Sequence, residues 1–587
     1  MAINSDSILK RKMSLTLGCD THTAAASALF VVLLCAFEGL YLNAGISTAI
    51  SLLVQTSDPV FVAVYAAYIG LSLYLVFAFT AITISARWPY KVALIAVFGF
   101  ATLVEYSYHN ALGRFTTVFD VLAAMSATPD QRSDSLGTFI SFASAVPIAV
   151  LISFCIAVGR RKKQTFGAKA VAVFSIAAAA FMLNLSYVDR LLFDRQFYGA
   201  SFTAFGQTIA DFAMYVPAVE IGPPVREQVL TPTGREIPRP TKNIVLIFDE
   251  SIRADHLSLN GYSRKTTPYL EDLAKKGYLI NWGTAVSAST SSHPSYNAFI
   301  TGITPDEYAA TDIRSINSLP TIFQYARAMG YRTHLFDGQM KEYWGGTPDD
   351  LNYIDEYVSL AEIDSPDRIE DWERGSKITY DDLNQNGLKQ WEIDNKIAGM
   401  VKERFTASTG NFIFIYKRGA HFPYEKNYPE DETHWKPIYK FKEQWEIPPA
   451  DMIDAVKNSY DNSIKFNLDS FFKNLADDYS RLPNGTVILY TSDHGESFFA
   501  NGRAGHGGDT REEALVPLFA IGLDSSSIDT GFAASHHDLF GTILDLMGFR
   551  KEERNGKHQR SLLNAKKGDS LPRSFNIPTG RKIAFDK

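Results

Sequence analysis

Apolar residues follow two different patterns along this chain, and the pattern changes near residue 190. Before that point they form five long runs, and after it they form short runs separated by polar loops. A helix of about 20 apolar residues is long enough to cross a bilayer. The first pattern therefore predicts a transmembrane domain over residues 1–190 with five spans, at about 24–44, 60–84, 92–109, 139–159 and 168–188.

Basic residues accumulate in every second connection of this N-terminal part. They lie at 10–12 before the first run, at Arg87 and Lys91 between the second and third, and at 160–163 between the fourth and fifth. Lys and Arg are enriched in the cytoplasmic loops of membrane proteins. We expect a cytoplasmic N-terminus and, after five crossings, an outer location for the rest of the chain. A buried helical core of a soluble protein would not require this alternation.

The chain beyond the apolar runs divides into three parts. Residues 191–241 are predicted to be a connector, with a short interfacial helix and a Pro-rich extended stretch. From 242 to 555, short runs rich in β-branched and aromatic residues alternate with helical patterns, which predicts an α/β domain with a mostly parallel sheet. Residues 556–587 are predicted to be a basic tail. The predicted strands are 243–248, 332–336, 411–416 and 486–491, of which the second is the weakest.

Composition narrows the classes of function. The chain has 587 residues and a net charge of -7, which argues against a nucleic-acid-binding protein, since such proteins carry a concentrated basic face. Its three cysteines, Cys19, Cys35 and Cys155, all lie in or beside the apolar runs. The α/β domain therefore cannot form disulfides of its own.

Acids and histidines follow three of the predicted strands directly, in the segments DESIRADH, KRGAHFPY and SDHGES. Because open α/β sheets place their sites at the carboxyl ends of the strands, we expect these side chains to meet. Carboxylate oxygens and imidazole nitrogens suit Zn²⁺, and a catalytic zinc keeps one position open for the reacting group. The candidate ligands and acid–base groups are Asp249, Glu250, His421, Asp493, His494 and, in a Gly-rich loop, His506.

The stretch SASTSSHPS, residues 287–295, carries six hydroxyls in nine positions. A hydroxyl is a weak nucleophile until a base or a metal activates it. If a helix begins at PSYNAF, its free N–H groups also favour the oxygens of a phosphoryl group. The loop is therefore predicted to hold a nucleophile, with Ser289, Thr290 and Ser292 as the candidates.

Several of these segments together resemble a known family. FDESIRADHLSLNGYSRKTTPYL, the hydroxyl-rich loop, AHFPYEKNYP and TSDHGES with its downstream GH are similar to the membrane-bound phosphoethanolamine transferases of Gram-negative bacteria, in the alkaline phosphatase and sulfatase superfamily. The resemblance covers the five-span plan and nearly all of residues 242–550. It implies an inner-membrane protein, expected as a monomer, with a periplasmic catalytic domain.

The resemblance also implies a reaction. Members take phosphoethanolamine from phosphatidylethanolamine and pass it, through a covalent phospho-threonine intermediate, to lipid A, the lipopolysaccharide core or another periplasmic or surface glycan. One zinc ion is implied, with a second as an alternative. The implied ligands are Glu250, Asp493, His494 and the nucleophile Thr290, and the implied phosphoryl-handling or second-metal groups are His421 and His506.

Some assignments stay open at the level of sequence. Counting forward from Glu250 favours Thr290 as the nucleophile, and counting back from Pro294 favours Ser289. Ser292 occupies the position that sulfatases use, although Tyr296 stands where that branch has an arginine. Two further residues are the acid Asp249, a second ligand or a buried structural acid, and Lys341, a phosphate contact or a solvated lysine.

Three other functions compete with this interpretation. A phosphoglycerol transferase would share the five spans and the threonine chemistry but use phosphatidylglycerol, and the segment SLNGY followed by TTP favours the phosphoethanolamine enzymes instead. A sulfatase or phosphatase is disfavoured by Tyr296 and by spans that soluble substrates do not need. A catalytically dead lipid sensor should have lost its metal ligands, and this chain retains them.

Overall fold

The computed structural model describes residues 21–41, 59–112, 145–159, 225–229, 232–310, 316–340, 343, 347–364, 389–441, 447–499, 505–554, 558, 560–577 and 582–586. The chain divides into two compact units, Met1–Ile221 and Gly222–Lys587. The predicted fifth span at 168–188 and the interfacial helix of the connector lie outside the described residues.

The N-terminal unit contains apolar helices at four of the five predicted spans. Side chains of all four, among them Phe30, Phe79, Phe98 and Leu151, share one buried cluster. Two of the described helices, over Thr21–Leu40 and Trp88–Tyr106, are long and apolar enough to cross a membrane, and the other two have shorter apolar stretches. The helices are α1 (Thr21–Tyr41), α2 (Pro59–Ser85), α3 (Trp88–Leu112) and α4 (Ala145–Gly159).

The C-terminal unit is built on a seven-stranded sheet in the order β2-β7-β6-β1-β5-β3-β4. All strands run the same way except β7, which is antiparallel to both its neighbours. The predicted mostly parallel sheet is confirmed, and the four predicted strands are β1, β3, β5 and β6. The strands are β1 (Ile244–Asp249), β2 (Leu279–Val286), β3 (Arg332–Asp337), β4 (Glu356–Val358), β5 (Asn411–Tyr416), β6 (Val487–Ser492) and β7 (Leu515–Ile521).

Helices cover both faces of this sheet, and the alternation of side chains along β1 shows how. Val245 and Ile247 join the core under one set of helices, whereas Leu246 and Phe248 join the core on the other face. A strand buried on both faces reads as a continuous apolar run, which is why these strands were predictable. The helices are α5 (Pro268–Lys275), α6 (Ser292–Thr301), α7 (Pro305–Ala310), α8 (Ile322–Ala328), α9 (Leu360–Asp364), α10 (Gln390–Ala407), α11 (Ile453–Ile464), α12 (Ser470–Leu475) and α13 (His536–Met547).

The segment predicted as a basic tail carries structure of its own. Strands β8 (Ser574–Asn576) and β9 (Lys582–Ala584) pair as an antiparallel hairpin. Phe575 and Phe585 are buried against Val286, at the end of β2, and Ala514. The described part of this segment therefore packs on the α/β domain.

Candidate active site

Three of the ligand candidates meet because β1 and β6 are adjacent parallel strands. Asp249 pairs with Ser492 in their ladder, and the Asp493 N–H donates to the Asp249 carbonyl at 2.8 Å. The residues that follow, Glu250 on one strand and Asp493 and His494 on the other, leave the sheet at the same edge. One ligand atom from each of these three residues lies within 4.8 Å of the other two, and all three side chains are buried.

The donor set of this cluster fits a divalent cation such as Zn²⁺. The Nδ1 atom of His494 donates to the Gly495 carbonyl at 2.8 Å, which leaves Nε2 with its lone pair. That Nε2 lies 3.5 Å from Glu250 Oε1 and 3.4 Å from Asp493 Oδ2. Ser251, in a left-handed conformation with φ 58°, donates its hydroxyl to Glu250 and its N–H to Asp493. Two carboxylates and one imidazole are thus held facing a common point.

The charges of the cluster are mutually unfavourable without a cation. Burial, and then the charge of Asp493, raises the pKa of Glu250 to about 8. Burial, and then the positive charge of His506, lowers the pKa of His494 to about 4. A bound metal would favour the ionised form of Glu250, and the low pKa of His494 already leaves its imidazole in the neutral form that binds a metal.

Ser292 is the hydroxyl that the fold brings to this cluster. It is the first residue of α6, and its Oγ donates to Glu250 Oε2 at 3.4 Å and lies 3.1 Å from His494 Nε2. One turn later, Ser295 donates its hydroxyl to the Asp493 carbonyl at 2.6 Å and so fixes the start of the helix. Ser292 lies in the first turn of α6, where the backbone N–H groups have no partner within the helix.

The other two hydroxyl candidates point elsewhere. Thr290 is fully buried, and its Oγ1 donates to the Gly508 carbonyl at 2.8 Å. Ser289 is 1% exposed, and its hydroxyl makes no hydrogen bond to any described residue. Of the three candidate hydroxyls, that of Ser292 therefore lies at the ligand cluster, whereas that of Thr290, the nucleophile implied by the resemblance, does not. The physical reason is that α6 begins at Ser292 rather than later in the loop, which turns this side chain toward the ligands.

Asp249 lies directly before Glu250 but has different partners. Its Oδ2 accepts from Lys417 Nζ at 2.6 Å and from the Tyr490 hydroxyl at 2.8 Å, and its Oδ1 accepts from the Glu250 N–H. The side chains of Asp249 and Lys417 are both 0% exposed. Of the two roles left open by the sequence, these contacts are those of a buried structural acid. Lys341 lies outside the described residues.

The two remaining histidines flank the cluster. The ring of His506 lies 4.2 Å from that of His494, centroid to centroid. Burial by itself lowers the pKa of His506, but the carboxylates of Glu496, Glu250 and Asp493 together raise it to about 9. His421 donates from Nδ1 to the Phe422 carbonyl at 2.6 Å, and burial followed by the charge of Arg418 holds its pKa well below the usual range.

The structure also brings residues to the site that the sequence did not single out. Arg418 is 6% exposed and donates to Gln339 Oε1 at 3.2 Å. Gln339 in turn donates to Glu250 Oε2 at 3.3 Å and to the Lys417 carbonyl. The Tyr416 hydroxyl donates to Glu250 at 3.4 Å. Arg418 is the second residue after β5, and this position at the end of a buried strand could have identified it as a site residue.

The imidazole of His536 was also missed. It is 2% exposed at the first turn of α13, accepts from the Ala288 N–H at 3.1 Å and lies 3.1 Å from the Thr491 hydroxyl. Because Nδ1 is an acceptor, the ring proton is on Nε2, which donates to Thr491. His536 therefore connects the hydroxyl-rich loop to β6. The segment HHDLF after a serine is typical of an ordinary helix start, so no local feature of the sequence identified His536 as a site residue.

Comparison with known proteins places this domain in a family. The family model described as Sulfatase matches residues 242–549. In overall fold the chain is similar to the integral membrane protein lipooligosaccharide phosphoethanolamine transferase A from Neisseria meningitidis, with a TM-score of 0.58 and 19% identity over 89% of this chain and 97% of that one. This structural similarity covers more of the chain than the family match does, and it shows the fold.

Curated relatives align with about half of the chain. The chain is 25% identical over 300 residues to the Kdo(2)-lipid A phosphoethanolamine 7''-transferase of Salmonella typhimurium, covering 50% of this chain and 46% of that protein. It is 25% identical over 296 residues to the phosphatidylethanolamine transferase Mcr-2 of Escherichia coli, covering 49% of this chain and 50% of that protein. The chain thus spans about half the length of these relatives.

Proposed function

The chain belongs to the sulfatase family, within the alkaline phosphatase superfamily, and from that premise we propose that it is a metal-dependent phosphoethanolamine transferase. The donor is phosphatidylethanolamine and the acceptor is lipid A or a related periplasmic or surface glycan. One observation carries the proposal: a serine hydroxyl at a helix start faces two carboxylates and an imidazole that suit one cation. The relatives, which are named as phosphoethanolamine and phosphatidylethanolamine transferases, indicate the transferred group.

The membrane is part of this proposal. A phosphatidylethanolamine donor keeps its acyl chains in the bilayer, so an enzyme that uses it benefits from a membrane anchor. The apolar helices of the N-terminal unit support such an anchor. We infer an inner-membrane protein with a cytoplasmic N-terminus and a periplasmic catalytic domain, as the distribution of basic residues suggests.

Glu250, Asp493 and His494 would hold the metal, and we infer a single ion. When bound, it acts as a Lewis acid that stabilises charge on the nucleophile and on the phosphoryl oxygens. Asp249, which would be the natural additional ligand, is already neutralised by Lys417 at 2.6 Å. This pairing supports one cation rather than two in the described part of the site.

Ser292 is the proposed nucleophile. Its hydroxyl proton leaves to solvent, and its Oγ forms a bond to phosphorus while the bond from phosphorus to the diacylglycerol oxygen breaks, so that a phosphoethanolamine ester remains on the serine. The acceptor oxygen then forms a bond to phosphorus while the bond from phosphorus to Ser292 Oγ breaks, and the serine takes a proton back from solvent. Both steps build negative charge on the non-bridging oxygens, and the first-turn N–H groups of α6 face that charge.

His506 and Arg418 are proposed to assist these steps, His506 by transferring protons and Arg418 by binding phosphate oxygens. His506, whose pKa lies at about 9, is protonated at neutral pH and can give its proton to the leaving diacylglycerol oxygen. The same imidazole can then take the proton of the acceptor hydroxyl. Arg418, linked to Glu250 through Gln339, is proposed to bind the phosphodiester oxygens with its planar guanidinium.

The test is mass spectrometry of the peptide that spans residues 282–300, from protein purified with its native lipids. We expect a phosphoethanolamine adduct on Ser292. In Ser292→Ala the adduct is absent and transfer falls by about 10³-fold or more. Ser291→Ala, which removes the neighbouring hydroxyl, is the matched control and keeps both the adduct and the activity. Thr290→Ala keeps the adduct on Ser292.

Each other outcome has a defined meaning. An adduct on Thr290 or Ser289 would restore the nucleophile expected from the sequence and refute the geometric assignment. A glycerophosphate adduct would identify a phosphoglycerol transferase. Absence of any adduct in protein that also binds no zinc would leave the lipid-sensor function and would contradict the proposal.

A further inference from the structure

The antiparallel pair of β8 (Ser574–Asn576) and β9 (Lys582–Ala584), here called the C-terminal hairpin, lies outside the region matched by the sulfatase family model, which ends at residue 549. Its contacts nevertheless fall on the segment that leads into α6. This segment, residues 287–291, is called the nucleophile loop below. A part of the chain that the family match does not include therefore contacts the nucleophile loop, which directly precedes Ser292.

Asn576 is the residue through which the C-terminal hairpin contacts the nucleophile loop. Its N–H donates to the Ala288 carbonyl at 2.9 Å, and its carbonyl accepts from the Thr290 N–H at 3.2 Å. The two bonds flank Ser289 as a short parallel bridge. Its side-chain amide donates to the Pro305 carbonyl at 3.1 Å, just beyond the other end of α6. Asn576 thus fixes the chain before and after the helix that begins at Ser292.

Thr290 extends this connection to the loop that carries His506. The Thr290 carbonyl accepts from the Gly507 N–H at 2.7 Å, and its hydroxyl donates to the Gly508 carbonyl at 2.8 Å. A continuous set of hydrogen bonds therefore runs from Asn576 through Thr290 to both residues after His506. The separation of Ser292 from His506 depends on this set, because each group lies within two residues of a bonded position.

Apolar packing fixes the hairpin itself. Phe575 and Phe585 are 1% and 2% exposed, and they pack against Val286 at the end of β2. The guanidinium groups of Arg511 and Arg573 lie 4.4 and 4.9 Å from the centre of the Phe585 ring. Burying two phenylalanine side chains removes their apolar surface from water and so stabilises the attachment of the hairpin. The hairpin is therefore a fixed support for the loop.

We propose that the C-terminal hairpin is a positioning element of the catalytic site, which sets the place of Ser292 through Asn576 and its distance from His506 through Thr290. The catalytic part of this inference rests on the proposed function. In this role Asn576 is a positioning residue and not a catalytic one. It acts through the backbone of the nucleophile loop, so its loss changes the rate of the chemical step and leaves the metal site intact.

The experiment compares the full chain with Asn576→Pro, which removes the N–H that donates to Ala288. In hydrogen–deuterium exchange, we expect the nucleophile loop to exchange at least ten times faster while β1 and β6 stay protected. We expect the single-turnover rate of adduct formation to fall by about 10- to 100-fold, as for other small misplacements of a reacting group. The KM for the donor and the zinc content per chain stay unchanged.

Two further variants complete the design. Phe585→Ser loosens the same hairpin without altering Asn576, and it serves if the proline variant does not fold; we expect the same two effects. Lys582→Ala is the control, because it removes only the surface ion pair of the hairpin with Asp306, and such pairs contribute little. It retains wild-type exchange and rate.

The outcomes separate this inference from the proposed function. Wild-type protection of the loop in Asn576→Pro, or a wild-type rate of adduct formation in it, overturns the positioning role. A general loss of protection that includes β1 and β6 overturns it as well, because it would show ordinary destabilisation. If the wild-type chain forms no adduct, the proposed function fails, and loop exchange alone then decides whether the hairpin orders the loop.

Discussion

The buried ion pair of Lys417 with Asp249 leads to a quantitative prediction. The two groups are 2.6 Å apart with both side chains 0% exposed, and a second acid, Asp394, lies 3.6 Å from the same ammonium. Lys417→Met leaves two buried acids without their cation. Breaking a buried pair in this way costs about 3–5 kcal/mol. At roughly 2–4 °C per kcal/mol for a domain of this order of size, the melting temperature falls by about 6–20 °C.

The partner substitution gives a different result. Asp249→Asn keeps the bond from the Tyr490 hydroxyl, and Lys417 retains Asp394, so its cost should be the smaller of the two. The double variant should be more stable than Lys417→Met alone, because one of the unpaired charges has gone. Asp249→Asn should also keep one zinc ion per chain, since Asp249 is assigned to the ion pair and not to the metal.

Thermal unfolding of the full chain in detergent, with Zn²⁺ and again with a chelator, provides the assay. The chelator arm is needed because bound metal stabilises the folded state by mass action. Metal content is measured on the same samples. A loss of less than 1 kcal/mol in Lys417→Met, or loss of zinc in Asp249→Asn, would refute the assignment of Asp249 as a structural acid.

Three further predictions concern the metal, the phosphate and acid stability. Glu250→Gln should reduce bound zinc from one ion per chain toward none, measured by elemental analysis, because it removes a charged ligand from the cluster. Arg418→Lys should lower kcat/KM for the donor by about tenfold, because an ammonium cannot reproduce the paired bonds of a guanidinium; unchanged kinetics would exclude a phosphate contact. Burial lowers the pKa of His536 to about 3, whereas an unfolded histidine titrates near 6.5. Its stabilisation is therefore complete above pH 6.5 and is lost toward pH 3, by about 1.4 kcal/mol per pH unit, a slope that His536→Gln should lack in denaturation measured across this range.

Much of the α/β domain was predictable because burial leaves a local pattern. β1, β5 and β6 lie between two layers of helices, so their residues are apolar without interruption, and polar residues return only where each strand ends. Adjacent parallel strands end at one edge. The meeting of Glu250, Asp493 and His494 follows from that rule together with the order of the strands.

β7 and the C-terminal hairpin were not foreseen. β7 lies between β2 and β6 and is antiparallel to both, so the alternation of strands and helices that predicts a parallel sheet did not predict it. The strands of the hairpin have three residues each, and their burial comes from Val286 and Ala514, far away in the sequence. A short strand whose partners are distant has no periodicity of its own to detect.

The sequence by itself determined which kinds of side chain follow each buried strand, because residue types are local facts. Only the tertiary structure decided which of several equivalent groups faces the ligand cluster. Thr290 and Ser292 carry the same hydroxyl two residues apart, and the start of α6 and the bonds to the C-terminal hairpin turn one toward the ligands and the other toward Gly508. Asp249 and Glu250 are likewise adjacent carboxylates, and a lysine 168 residues away neutralises the first. Local pattern records burial, whereas the direction of a side chain depends on contacts that the chain makes only after it folds.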